Sequence, residues 1–237
     1  MDPITWTYRF IFSGDSEETL TVSLDPKDFS LIAEPNGDLP DWAKLDVHQC
    51  DHCPLAVDTH PGCPLAEALV RPISIFSNIL SYQTITLEVV SPERTVRQEV
   101  PAQNAVGSLM GLIMATSGCP HTVFFKPMAR FHLPLSSQPE TLYRAASMYM
   151  LAQYYRNQNG QDSDLTFEGL TKIYEDMEIL NRSMAKRVRQ AIEADAAVNA
   201  VVVLDFFAKN WAFSIHDQMI EMKPLFQAYL DDMGEPS

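Results

Sequence analysis

The chain is short of positive charge, and it lacks a compact run of Lys or Arg. With 17 basic against 31 acidic side chains its formal charge is −14, and a field of that sign repels nucleic-acid phosphates and anionic lipid heads. The nearest basic group is Arg182, Lys186, Arg187 and Arg189. At helical spacing these spread around a solvated face. No nucleic-acid partner is expected. Long apolar runs are missing too. Residues 105–115 are too few to cross a bilayer, and residues 198–207 contain Asp205, so no membrane partner is expected either. The opening Met1-Asp2-Pro3-Ile4-Thr5-Trp6 has neither the basic start nor the apolar stretch of a secretory signal. The expected compartment is therefore the reducing cytoplasm, where thiols serve more often as ligands or nucleophiles than in disulfides.

Several catalytic signatures are also absent. There is no Gly-x-Ser-x-Gly, no phosphate-binding loop and no His-Glu-x-x-His. The Glu-x-x-His elements of a diiron bundle are missing. No internal repeat is visible beyond the likeness of two hairpins.

What remains has the composition of a folded globular protein, 46 % apolar and 20 % charged over 237 residues. That length makes one large domain or two small ones. It can support a core that needs no metal or disulfide merely to exist.

The chain opens in strict alternation. Ile4, Trp6, Tyr8, Phe10 and Phe12 share one face, the chain breaks at Ser13-Gly14-Asp15-Ser16, and Leu20, Val22 and Leu24 resume the pattern. Period-two patterning around a Gly/Asp turn predicts a β-hairpin. A second hairpin is predicted over 84–90 and 94–100, with Ile85, Leu87, Val89, Val96 and Val100 facing inward. Between them, residues 33–64 are rich in Pro and Gly and read as a long irregular loop, which is usually functional. A helix is predicted from Pro64 to about residue 80, since Pro suits a first helical turn.

Beyond Pro101 the pattern turns helical. Residues 102–117 are apolar nearly all round, as in a buried central helix. Gly107 and Gly111 read as a close helix contact, and Gly118 as the terminator. Further helices are predicted over 140–156, 166–193, 195–209 and about 215–230. Leu170, Ile173, Tyr174, Met177, Leu180, Met184, Val188 and Ile192 form a stripe on the second of these. Hairpins early and helices late predict an α+β fold: two antiparallel β-hairpins in a small sheet, packed on a bundle of about five helices. The β region with its Cys/His-rich loop spans 1–101 and the helical region 102–237, as one integrated unit.

The chemistry concentrates in His48-Gln49-Cys50-Asp51-His52-Cys53-Pro54 and His60-Pro61-Gly62-Cys63-Pro64, with Cys119 as a distant fourth thiol. Two cysteines separated by two residues can place both sulfurs on one metal through a tight turn. Zinc then needs two more N or S ligands to complete a tetrahedron. Cys63 is the third, and Cys119 the fourth unless His48, His52, His60 or His121 takes its place. Cys119 follows the terminator of the buried helix and precedes Pro120; a helix starting there would offer its free N–H groups to the thiolate. Nearby histidines favour zinc, and four cysteines, three of them followed by proline, leave an iron–sulfur cluster as the rival.

Ser117-Gly118-Cys119-Pro120-His121 also has the outline of a nucleophilic site, with His132 as a base. In the helical half Glu140, Tyr143, Arg144, Asn181, Asp195, Asn199 and Asp205 fall at apolar-looking positions, as a bonded network or a small-molecule pocket. The function expected is metal binding, with structural zinc on Cys50, Cys53, Cys63 and Cys119 and a binding or regulatory role. The long stripe on the 166–193 helix makes self-association or a protein partner plausible. The alternatives are a metal-dependent hydrolase with an open zinc position, a Cys119 thiol enzyme and an iron–sulfur protein.

Overall fold

The computed structural model describes residues 2–12, 14, 16–32, 38–191, 195–202, 204–205 and 219–231. The fold is α+β. Alternation in the N-terminal half gives strands β1 (Ile4–Ile11), β2 (Glu17–Leu24), β3 (Thr84–Val90) and β4 (Thr95–Pro101), in the antiparallel order β2-β1-β3-β4. Tyr8 stands opposite Leu20 on one side and Val89 on the other, so the inward residues of both hairpins align across the sheet. Trp6, Tyr8, Phe10, Ile85, Leu87 and Val89 are buried, as period two requires. The outer face carries Arg9, which pairs with Glu17 at 2.9 Å and Glu88 at 2.6 Å. Of the first turn, Ser13 and Asp15 lie outside the described residues, as do 33–37 of the loop.

The helices are α1 (Pro64–Ile75), α2 (Ala102–Thr116), α3 (Lys126–Arg130), α4 (Gln138–Gln158) and α5 (Glu168–Ala191), followed by helical turns at 196–202 and 219–222. Beneath the sheet lies α2, whose Ser108 carbonyl accepts the Tyr8 hydroxyl at 3.3 Å. Phe76, just past α1, meets Phe10 edge-on at 4.6 Å. One core joins β1–β4, α1, α2, the C-terminal half of α5 and the turn at 196–202. A smaller one, with Leu142, Tyr149, Leu170 and Tyr174, holds α4 to α5.

Five expectations need correction. First, α1 ends at Ile75, not near residue 80. It contains Pro72, and the chain turns at Phe76 to bury that ring. Second, no helix begins at Pro120. A turn leads into a 3-10 helix at Val123–Phe125, and α3 starts at Lys126. Third, the last predicted helix is broken. Pro224 has no N–H to continue it, so Lys223–Phe226 is 3-10 before Gln227–Leu230; residues 215–218 lie outside the described residues, as do 206–209 of the preceding prediction. Fourth, Arg187 is not solvated but 1 % exposed. Fifth, the α5 stripe is no free surface, because Leu170, Tyr174, Leu180, Met184 and Val188 are buried inside the chain; Ile192 is not among the described residues.

The predicted glycine contact is looser than expected. A methyl on Gly107 would stand 3.8 Å from the Ala200 carbonyl, and one on Gly111 3.9 Å from Leu204, both ordinary contact distances. Gly118 does end α2, at φ +86°.

Candidate metal centre

The loop that carries three of the cysteines is tied at its base. Cys63 N donates to Ala43 O at 2.9 Å, and Leu45 N to Pro61 O at 3.0 Å, which closes residues 43–45 against 61–63. Within it, Cys53 N donates to Cys50 O at 2.9 Å, the tight turn a Cys-x2-Cys pair needs. Cys63 is the N-cap of α1, beside the free N–H groups of that helix. The helix-start position predicted for Cys119 thus belongs to Cys63. Cys119 instead follows the αL residue Gly118, and its carbonyl accepts Thr122 N at 3.1 Å.

All four cysteines line one small cavity, together with His121, Leu180, Met184 and Arg187. Its volume is ≈ 20 Å³, room for about one water-sized body. Electrostatically, Cys50 feels Cys63 and Cys53, while Cys119 feels Cys63 and Cys50. Burial pushes the Cys119 thiol up to about 11, against a smaller opposing effect of the His121 N–H that reaches it. Burial also raises the Cys50 thiol, opposed by the Ser183 hydroxyl. A thiol so raised is a weak nucleophile until a cation displaces its proton. The base once paired with Cys119, His132, lines a different cavity and bonds to the Tyr8 hydroxyl.

Arg187 is the residue that sequence reasoning missed. Its guanidinium donates to Trp42 O at 2.9 Å, Lys44 O at 2.6 Å and Leu45 O at 3.0 Å, pinning the base of the cysteine loop to α5. Among the described residues it makes no ion pair with a carboxylate. A buried cation left so is costly unless negative charge lies nearby, and the Cys50 thiol is one group that its charge reaches. The signal was in the sequence: Arg187 stands three residues after Met184 and seven after Leu180, on the buried stripe of α5.

The histidines divide. His121 lines the cavity. His48 accepts Gln190 Nε2 at 2.9 Å, and His60 bonds to its neighbour Thr59, both at exposed positions. His52 donates from Nε2 to Asp176 O at 3.1 Å, and His121 from Nε2 to His52 O at 3.1 Å. His52, His121 and Asp176 are the one group among the described residues with three ligand-type atoms all within 4.8 Å. No three of the sulfurs meet that spacing, and zinc would draw them in to about 3.8 Å from one another. The two imidazoles, however, are stacked, 3.8 Å between centroids and 16° between planes. Ring lone pairs lie in the ring plane, so those of stacked rings run side by side and do not converge on one ion.

The polar residues of the helical half also separate. Asp195 accepts Ser81 N at 2.8 Å, Ser81 Oγ at 3.0 Å and Asn199 Nδ2 at 3.1 Å, a bonded structural network. Glu140 forms a capping box with Ser137, and Tyr143 is exposed. Arg144 and Asn181 face the second cavity.

No helix of the described residues is long and apolar enough to cross a membrane. No curated protein and no solved structure matches the chain. The family described as Domain of unknown function (DUF6901) matches residues 6–227, and the chain belongs to that family.

Proposed function

We propose that this member of the DUF6901 family is a metal-binding protein that holds one structural zinc ion through Cys50, Cys53, Cys63 and Cys119. The observation that carries this reading is the ion-sized cavity shared by four thiols, three from one loop and the fourth from beyond α2. Zinc bound by four thiolates has a net charge of minus two. Arg187 then gains the negative neighbour it otherwise lacks, and the Ser183 hydroxyl and His121 N–H donate to the charged sulfurs. A space of ≈ 20 Å³ suits a single ion better than a multi-atom iron–sulfur cluster. Four protein ligands leave no open position, which favours a structural role over hydrolysis. The rival metal-dependent hydrolase would use His52, His121 and Asp176, and their stacked imidazoles disfavour it.

Zinc would join the loop of the β region to the start of α1 and the end of α2, with Ser183 and Arg187 of α5 beside it. The biological role is then binding or regulation in a reducing, cytoplasmic setting that keeps the thiols free. With the α5 stripe buried, a surface open to a second copy is the outer face of α4, where Tyr143, Leu151, Tyr154 and Tyr155 are exposed.

The test is elemental analysis of protein purified without a metal-affinity tag, alongside single Cys→Ser variants. One zinc per chain, colourless protein, and loss of metal and of cooperative unfolding in each variant are expected. Metal-free protein that still unfolds cooperatively would sink the proposal, and so would a folded Cys119→Ser variant with its full complement of zinc. Brown protein containing iron would hand the site to a cluster.

A further inference from the structure

The larger cavity lies between α2, α3, α4 and α5 and measures ≈ 350 Å³, within the range of small-molecule sites. Its walls are mainly apolar, built from Leu112, Phe125, Leu135 and the flexible Met114, Met128 and Met177. Methionine side chains adapt to irregular or pliable occupants. Gly107 and Gly111 supply no side chain where α2 borders the space.

Several polar side chains interrupt this lining, Gln98, Asn104 and Thr122 among them, and two others stand out. Arg144 is the one charged side chain among the described lining residues, and no carboxylate lines the cavity with it. Its Nη2 donates to Met128 O and Phe131 O, each at 2.8 Å, while Nε and Nη1 have no hydrogen bond among the described residues. Glu140, one turn back, is engaged with Ser137 and points to solvent. The second group is Asn181, 2 % exposed, whose Oδ1 has no hydrogen-bond partner among the described residues. Leaving a buried acceptor unmatched is costly, and the cavity is the space it adjoins.

The spacing of these groups sets a length. Tyr174 lies beside Arg144 and feels its charge. Asn181 follows Tyr174 by seven residues on α5, about 10 Å along the axis. His132 adds no second charge, because burial and then Arg144 hold it down to about 3, neutral near pH 7.

We propose that this cavity binds an elongated, flexible apolar carboxylic acid, with its carboxylate on Arg144 and a hydrogen-bond donor at its far end on Asn181. The carboxylate takes the unused donors of the guanidinium, and the alkyl body fills the methionine-lined middle. The terminal hydroxyl donates to Asn181 Oδ1. Nothing in this reading depends on the metal.

Calorimetric titration of the full chain with 8-hydroxyoctanoate, octanoate and 1,8-octanediol tests it. The hydroxy acid should bind most tightly, octanoate about threefold more weakly and the diol about tenfold more weakly. Arg144→Gln should bring the hydroxy acid down to the diol, Arg144→Lys should keep the order, and Asn181→Leu should erase the gap between the hydroxy acid and octanoate. Circular dichroism checks that each variant folds; where one does not, the ranking on the unaltered protein decides. No heat at millimolar probe, a diol equal to the acids, or folded variants with unchanged affinities would each overturn the assignment.

Discussion

Arg187 sits within two positions of two exposed basic residues, yet it does the opposite of what they do. Lys186 and Arg189 are solvated, while the Arg187 guanidinium is buried against three carbonyls of residues 42–45. Its length lets it cross from α5 to the base of the cysteine loop, and its planar fork of donors serves several acceptors at once. Arg187→Met keeps most of the apolar stem and removes every donor. It should destabilise the protein by about 3 kcal/mol, because buried carbonyls are left unmatched. Urea unfolding measures this, and a loss under about 0.5 kcal/mol would mean that the carbonyls find other partners. The zinc content of the same variant should fall as well. Arg144 and Asn181 were visible in the sequence as polar residues at apolar positions. Which of the flagged residues belong to a bonded network and which to a cavity was not, since that depends on neighbours far along the chain.

At the level of elements, β-strands were the most legible. Alternation over Ile4–Ile11 and Thr84–Val90 reports burial on one face directly, because a strand's side chains alternate whatever packs on it. Helix ends were read less well. Pro72 and Pro224 lie in helical runs that periodicity alone extends further, and the capping box of Ser137 with Glu140 starts α4 two residues before Glu140. The two kinds of glycine in and after α2 make a paired prediction. Gly118 has open space around it and φ +86°, so Gly118→Ala should lose about 1–2 kcal/mol from backbone strain alone. Gly107→Ala places a methyl at 3.8 Å from its nearest neighbour and should gain about 0.5–1 kcal/mol from helix propensity. Thermal denaturation of both variants checks the opposite signs; a large loss at Gly107 would show that the helices pack more tightly than these distances.

At the scale of the whole molecule, burial of the α5 stripe changes where a partner can sit. On the reading proposed above, the exposed aromatic face of α4 takes its place, because an apolar contact there would offset the repulsion between acidic copies. If that face carries self-association, sedimentation equilibrium should show a dimer in the unaltered protein and a monomer in Leu151→Glu. A monomer in both would leave the face to a different protein, and a dimer in both would move the contact elsewhere.

The amino-acid order alone determined the α+β class, the two hairpins, the buried character of α2 and the chemical singularity of the cysteine loop. Those properties are written in local periodicity and in residue type, which need no knowledge of distant neighbours. Tertiary structure decided that Cys119 shares a cavity with Cys50, Cys53 and Cys63, that Arg187 is buried beside them, and that Arg144 and Asn181 face one space. Each is a meeting of residues dozens of positions apart. Such meetings follow from how helices and sheet pack, a collective outcome of the whole core that no single stretch of chain encodes.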